Sequence, residues 1–491
     1  MKPKPSPYYL PNFDPESFIG RSEGLAQVRS ALVPGAGRFL LSGEPGVGKS
    51  TLALMFAWEA QKDFAAVVFQ ACGRRNVDVI AAELADTLKD QLAEDVSQMP
   101  PEQKLRAIKE WLKRQDTLLV LDDVWLESDS NGSSKTPLKL QDLLPDPSVS
   151  VLFTSRRPSL PWVPIHRKLQ VDAFLVEEVE EVFRKYLGEA TLERHRAALL
   201  EFAGRVERLP IAVIVAAQLL QSEFGPLSES ARGIALSKLR NEIHDVPGLL
   251  RRAIESQGED ERRLLMAAAV CVPEGFWLPF VLQVAGLDEQ TGHVARNNLA
   301  NAALLRVLDQ EAERFQLHLL IREQVREMAG PLAKLQEAHA SALEELFMES
   351  GKRWRDCAKC LGEIVPSVAF LRSMAQTGRA NVLAYRGYVT AKAIGELATA
   401  LQIEQENERY WAGLSGANAK SGLQASYGNQ ALILKAWGKL EEAMVLHKKQ
   451  EAICLELGSK DGLQICYGNQ ALILKAWGKL EEAMALHKKE E

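Results

Sequence analysis

The sequence predicts a multidomain protein of the α/β plus all-α class, with a parallel-sheet domain around a phosphate-binding loop and, further on, stacked helical hairpins. Two observations carry this. The stretch Gly-Glu-Pro-Gly-Val-Gly-Lys-Ser-Thr at 43–51 meets the spacing G-x-x-x-x-G-K-[ST] in full, and apolar runs alternate with helical patterns around it. Residues 421–451 and 461–491 match at 26 of 31 positions with an offset of 40, the period of a stacked helical repeat.

The front is read outwards from the loop. Phe39-Leu40-Leu41 before it reads as a buried strand and "TLALMFAWEA" after it as a helix, the setting the motif requires. Gly43, Glu44, Pro45, Gly46, Val47, Gly48, Lys49, Ser50 and Thr51 are therefore expected to bind a nucleotide. The glycines let successive backbone N–H groups curl round an anion at a helix N-terminus. Lys49 would reach the terminal phosphates, and the Ser50 hydroxyl would ligate Mg2+. The alternative is a glycine-rich turn that binds nothing.

Four strands are expected at Phe39–Ser42, Ala66–Ala71, Thr117–Asp122 and Val149–Ser155, with "KLQV" at 168–171 adding a fifth. Continuous apolar runs mark strands covered on both faces, and in such sheets ligands sit at the carboxyl ends. The chemistry-bearing residues fall at those ends. Asp122 would hold Mg2+ and Asp123 would orient or deprotonate the attacking water. The alternative is an Asp pair capping a turn before "ESDSNGSSKT". The next strand delivers Arg156 and Arg157, and an arginine there could contact a γ-phosphate. Two solvated arginines before a proline are the bland reading. No N-K-x-D sequence is present to read guanine, so ATP is expected over GTP.

The 491 residues suffice for about three domains. Lysine and arginine number 59 against 65 acids, a balance that argues against nucleic-acid binding by general electrostatics. The N-terminal "MKPKPSPYYLPNF" lacks the apolar core of a signal peptide. The apolar run "LPIAVIVAAQLL" at 209–220 is too short to span a bilayer and contains Gln218. Six cysteines in so long a chain suggest reduced thiols in a cytoplasmic protein. Cys357 and Cys360 read as packed thiols, since no second pair completes a zinc site.

Taken together, the motifs resemble the STAND-class P-loop NTPases with an NB-ARC-type module. The resemblance begins at "FIGRSEGLAQVRSAL" (18–32) and runs through the phosphate loop, "LLVLDDVW" and "VLFTSR" to "VERLPIAVIVAAQLL". It implies that the backbone near Ile19 and the side chain of Arg21 surround adenine, and that Pro210 packs near the nucleotide. Arg208 stands where the family has glycine. "EDERRLLMAAAVCVPEGFWLPFVLQVAGL" and the stretch closing in Leu317-His318-Leu319 look like the family's winged-helix domain and its Met-His-Asp segment, with leucine in place of aspartate. By that resemblance His318 meets the β-phosphate of ADP and holds the domain shut.

The expected organisation is an N-terminal tail (1–17), a nucleotide-binding domain (18–172), a helical domain (173–245) and a winged-helix domain (246–330). A helical linker (331–394) and repeats resembling tetratricopeptide repeats (395–491) follow. In the repeats "WGKLEEA" puts Gly438 in a turn and the small Ala443 at a helix contact, while Gln450 replaces a small residue; an earlier copy at 395–411 shares Gly395, Leu397 and Ala400. The array is expected to extend beyond Glu491 and to present a concave surface to a protein or peptide.

The functional expectation is an ATP/ADP-controlled signalling switch and slow ATPase, with ADP in the resting state. It would sense a ligand through its repeats and form a homo-oligomer on exchange, without membrane or nucleic acid. One alternative is a transcription activator of the same class, although "EQTGHVARNNLANAALL" (289–305) carries only His293 and Arg296 as basic groups. Another is a constitutive ATPase whose repeats dock a client.

Overall fold

In the computed structural model the described residues are 8–490, apart from 34–35, 74, 76, 94, 97–98, 127–138 and 226. "ESDSNGSSKT" and Glu491 thus lie outside them. Two units form, one from residues up to 80 with 107–342, the other from 81–106 with 343–491.

The first unit is built on a parallel sheet of β1 (Tyr8–Tyr9), β2 (Arg38–Ser42), β3 (Ala66–Ala71), β4 (Thr117–Asp122), β5 (Ser150–Ser155) and β6 (Lys168–Gln170), in the spatial order β1-β3-β4-β5-β2-β6. The expected strands form within a residue of their predicted ends. Tyr8–Tyr9, read from sequence as part of a tail, pairs in parallel with Val67 and Val68, and the Tyr8 hydroxyl donates to Gln61 O at 3.0 Å. Every residue of β5 is buried, as suits a strand inside the sheet. The helices α1 (Ser22–Leu32) and α2 (Lys49–Glu59) cover it through Val28, Leu32, Leu52 and Phe56. This order sets β5 between β2 and β4, so the ends of the loop strand, the arginine strand and the aspartate strand are neighbours.

Between β3 and β4 run α3 (Val77–Thr87) and α4 (Pro101–Arg114). Residues 81–106 group with the second unit, which the boundaries read from sequence do not anticipate. Within that unit Lys439 pairs with Glu102, and the buried Lys104 is countered by Glu396.

After the sheet come α5 (Val176–Leu187), α6 (Glu189–Arg205), α7 (Pro210–Phe224) and α8 (Glu229–Glu242). Pro210 occupies the first turn of α7, where a missing N–H costs nothing. Then follow α9 (Val246–Glu255), α10 (Glu259–Val270), β7 (Phe276–Trp277), α11 (Leu278–Ala285), α12 (Glu289–Asn301), β8 (Arg306–Asp309), β9 (Arg314–Gln316) and α13 (Leu319–Ala329). The three strands make a small antiparallel sheet, β7-β9-β8.

The second unit continues through α14 (Ala333–Met348), α15 (Trp354–Cys360), α16 (Ile364–Ser373), α17 (Thr377–Ala393), α18 (Leu397–Ala412), α19 (Ala417–Ala436), α20 (Leu440–Leu457), α21 (Lys460–Ala476) and α22 (Leu480–Glu490). Three hairpins, α17–α18, α19–α20 and α21–α22, turn on Gly395, Gly438 and Gly478 at φ 89°, 73° and 75°. Each is closed by the same bond, from the N–H of Glu396, Lys439 or Lys479 to the carbonyl five residues back. The first hairpin therefore starts inside the stretch read from sequence as a linker. All six cysteines are buried free thiols, Cys357 and Cys360 included. Among the described residues no helix is long and apolar enough to cross a membrane.

Candidate nucleotide site

The loop after β2 is folded for close packing. Gly43 sits at φ 149°, and a Cβ there would stand 2.4 Å from the Val171 carbonyl oxygen, so only glycine fits. Gly48 lies at φ 88° and caps α2, whose first residue is Lys49. Lys49 is 8% exposed, and its Nζ donates to Gly43 O at 2.9 Å and Glu44 O at 2.8 Å. Burial lowers its pKa, Asp123 opposing this most and Arg156 adding to it. The ammonium is held over the loop by neutral carbonyls that an incoming phosphate can outcompete.

At the end of β4, the Thr154 hydroxyl donates to Asp122 Oδ1 at 2.6 Å and accepts from the Asp123 N–H at 2.8 Å. Ser50, at the start of α2, hydrogen-bonds to the same Asp122 carboxylate. Burial raises the Asp122 pKa; the Thr154 and Ser50 bonds and the charge of Arg306 oppose it. A hydroxyl and a carboxylate side by side form an all-oxygen donor pair that suits Mg2+. Asp123 takes a left-handed φ of 52° and lies 3.8 Å from Arg156 Nε. With Arg157, Trp125 and Pro158 these two residues line a cavity of about 340 Å³.

Two further segments close on the loop. A Cβ on Gly46 would stand 3.1 Å from Leu320 Cδ1, 3.3 Å from Ile211 Cγ2 and 3.7 Å from His318 Cε1. At Gly48 the neighbour is Pro210 Cγ, 3.9 Å away. His318 caps α13, its Nδ1 accepting from the Leu320 N–H at 3.3 Å. Burial, with Arg306, Lys49 and Arg156 nearby, lowers its pKa to about 4, so the imidazole is neutral at pH 7.

Arg21, expected around adenine, donates to Val47 O at 3.2 Å and Asp172 O at 2.6 Å and lies over the Phe174 ring. Its backbone N–H donates to Glu178 Oε1 at 2.7 Å. It thereby ties the start of α1 to the loop and to α5. Ile19 is buried beside it, Glu44 and Thr51 are exposed, and Pro45 and Val47 complete the loop.

The structure thus brings the phosphate loop, the acid pair, Arg156, Pro210 and His318 to one place. The sequence reading did not single out Thr154, Ile211 or Leu320. Thr154 was legible in principle, two residues before Arg156 on the same strand.

A six-stranded parallel sheet with a glycine-rich loop, Lys49 and Asp122 at its carboxyl edge defines a P-loop nucleotide-binding domain. Residues 22–193 match the family model of the NB-ARC domain. No curated protein matches the chain at a significant level. Among solved structures, the chain is similar to a signal transduction ATPase with numerous domains and a tetratricopeptide repeat sensor from Pyrococcus horikoshii. That match has 14% identity and a TM-score of 0.47, and covers 99% of this chain and 84% of the other. A Drosophila ORC bound to DNA matches at 14% identity and TM-score 0.34, covering 64% and 89%. Cdc6p of Pyrobaculum aerophilum matches at 16% and 0.30, covering 64% and 97%.

Proposed function

We propose that the chain is an ATP/ADP-controlled signalling switch. ADP is held between the phosphate loop, Pro210 and His318, which closes the NB-ARC domain against the helical segment (173–245) and a winged-helix domain (246–330). The observation that carries this reading is the convergence of Pro210, Ile211, His318 and Leu320 on Gly46 and Gly48 of one loop. Lys49 contacts the terminal phosphates, and Ser50 with Asp122 holds Mg2+, whose role is to neutralise charge on the phosphates. Asp123 orients the attacking water, Arg156 reads the γ-phosphate, and slow hydrolysis resets the switch. Ile19 and Arg21 border the adenine side.

A protein or peptide on the repeats favours an open form that exchanges ADP for ATP and assembles with further copies. Support for such a surface comes from a cavity of about 380 Å³ between α16 and α18, with an apolar floor of Ile364, Val368 and Ile403 beside Arg372, Asn407 and Tyr410. A DNA-binding reading gains little from α12: Arg296 lies over the Phe315 ring, and His293 is near Glu289 and Glu313.

The test is retention of ADP through purification. His318→Ala should release a fluorescent ADP analogue ~10-fold faster or more, the cost of one charge-assisted hydrogen bond, with Lys49→Ala as the empty control. Unchanged release from His318→Ala would remove the latch.

A further inference from the structure

The groove between α16 and α18 contains a charge without a counter-charge. Arg372, half-buried, lines the cavity of about 380 Å³ there. Its Nη2 donates to Asn407 Oδ1 at 2.6 Å, and its guanidinium carbon lies 3.9 Å from the centre of the Tyr410 ring. A guanidinium carries five N–H donors, and among the described residues this is the single hydrogen bond that Arg372 makes. Among those residues it also forms no ion pair. The acids whose charge reaches it are Glu404 and Glu406, and both are engaged elsewhere. Glu406 pairs with Arg409, and Glu404 accepts from Asn407 and Asn429.

The arginine is nonetheless held in place. Asn407 is 8% exposed; it accepts from Arg372 and donates to Glu404 Oε2 at 3.3 Å, while Glu404 Oε1 accepts from Asn429 of α19 at 3.0 Å. This run of buried bonds fixes one edge of the guanidinium, and Tyr410 covers one face. A receptor group ordered beforehand loses little freedom when a ligand arrives. Beside it the cavity is aliphatic, with Ile364 and Val368 from α16 and Ile403 from α18.

Such a wall selects an anion joined closely to an apolar group. The planar fork of arginine matches a carboxylate, and the aliphatic wall rewards an apolar side chain next to it. A chain terminus ending in an aliphatic residue offers both within one residue; phosphate offers no apolar part. The volume lies in the range of small-ligand sites, roughly 300–1,000 Å³, which suits a chain end. We propose that this cavity binds the carboxyl terminus of a partner polypeptide, its terminal carboxylate on Arg372 and its last, aliphatic side chain against Ile364, Val368 and Ile403. The inference rests on the reading of the helical array as the sensing surface, and it names what that surface takes.

The probe is a fluorescein-labelled peptide, Gly-Ser-Gly-Ala-Leu with a free carboxylate, titrated with the full chain and followed by anisotropy. Its carboxamide should bind ~10-fold more weakly or worse, through loss of a charge-assisted hydrogen bond. The same peptide ending in serine should lose ~10-fold, because no aliphatic group is buried. Arg372→Gln should bind acid and amide alike, with helical circular dichroism to report folding. The wild-type comparisons decide alone should that variant not fold.

The proposal is overturned if the amide or the serine-ended peptide binds as tightly as the leucine-ended acid, or if no peptide binds at millimolar concentration. It is also overturned if 4-methylpentanoate displaces the peptide at equal concentration, since the site would then be one for small free acids. No nucleotide enters these titrations. Failure here would leave the ADP/ATP switch standing, and failure of the His318 latch would leave this site standing.

Discussion

Arg208 occupies a left-handed conformation, φ 52°, and its carbonyl accepts from the Phe174 N–H at 2.9 Å. It is exposed and stands where the family resemblance puts glycine, two residues before Pro210. A side chain in that conformation costs about 1 kcal/mol relative to glycine. Arg208→Gly should therefore raise the thermal midpoint of the full chain by about a degree, and a fall would show that the side chain contributes more than its strain costs. The positive φ was not legible from the sequence alone, because arginine is tolerated in helices and turns alike. The loop residues were legible because their chemistry depends on local spacing. Thr154 joins both aspartates to β5, and that bond needs β4 and β5 to lie side by side.

The second and third hairpins of the solenoid are each fastened to their predecessor by the same side chain. Gln430 on α19 donates to Glu404 O and to Glu408 on α18; Gln470 on α21 donates to His447 O and to Glu451 on α20. The near-identical sequences therefore reproduce a contact as well as a turn. One acid breaks the pattern of neutral packing. Glu404 is 2% exposed, and burial pushes its pKa up to about 7, with Asn429, Asn407, Ser426 and Arg372 opposing. For a carboxyl whose folded pKa is raised, the stability gained is fully present below its ordinary value of 4.5 and is lost as pH rises through 7. The urea midpoint of the full chain, followed by helical circular dichroism, should fall between about pH 5 and pH 8. Glu404→Gln should flatten that fall; an unchanged slope would mean the carboxyl is not held neutral. The repeat period and its turn glycines were readable, but Glu404 was not, since glutamate on a helix is ordinarily solvated.

The proposed switch would work through the balance of its whole-chain states. Moving it from mostly closed to mostly open requires an activator that prefers the open form by ~5 kcal/mol. A surface spread over several hairpins can supply that preference more readily than one hairpin. Blocking the reset should expose the same balance: Asp123→Ala is expected to bind ATP and turn it over ~100-fold more slowly, accumulating higher-mass species by light scattering. Wild-type turnover in this variant would discard the role given to Asp123. The sequence by itself determined the phosphate loop, the strands that flank it, the acid pair and the helical repeat, because each depends on residues close in the chain. Only the tertiary structure decided that Pro210, Ile211, His318 and Leu320 converge on one loop. Those meetings join residues up to about 270 positions apart, and no local pattern encodes which distant segments share a surface.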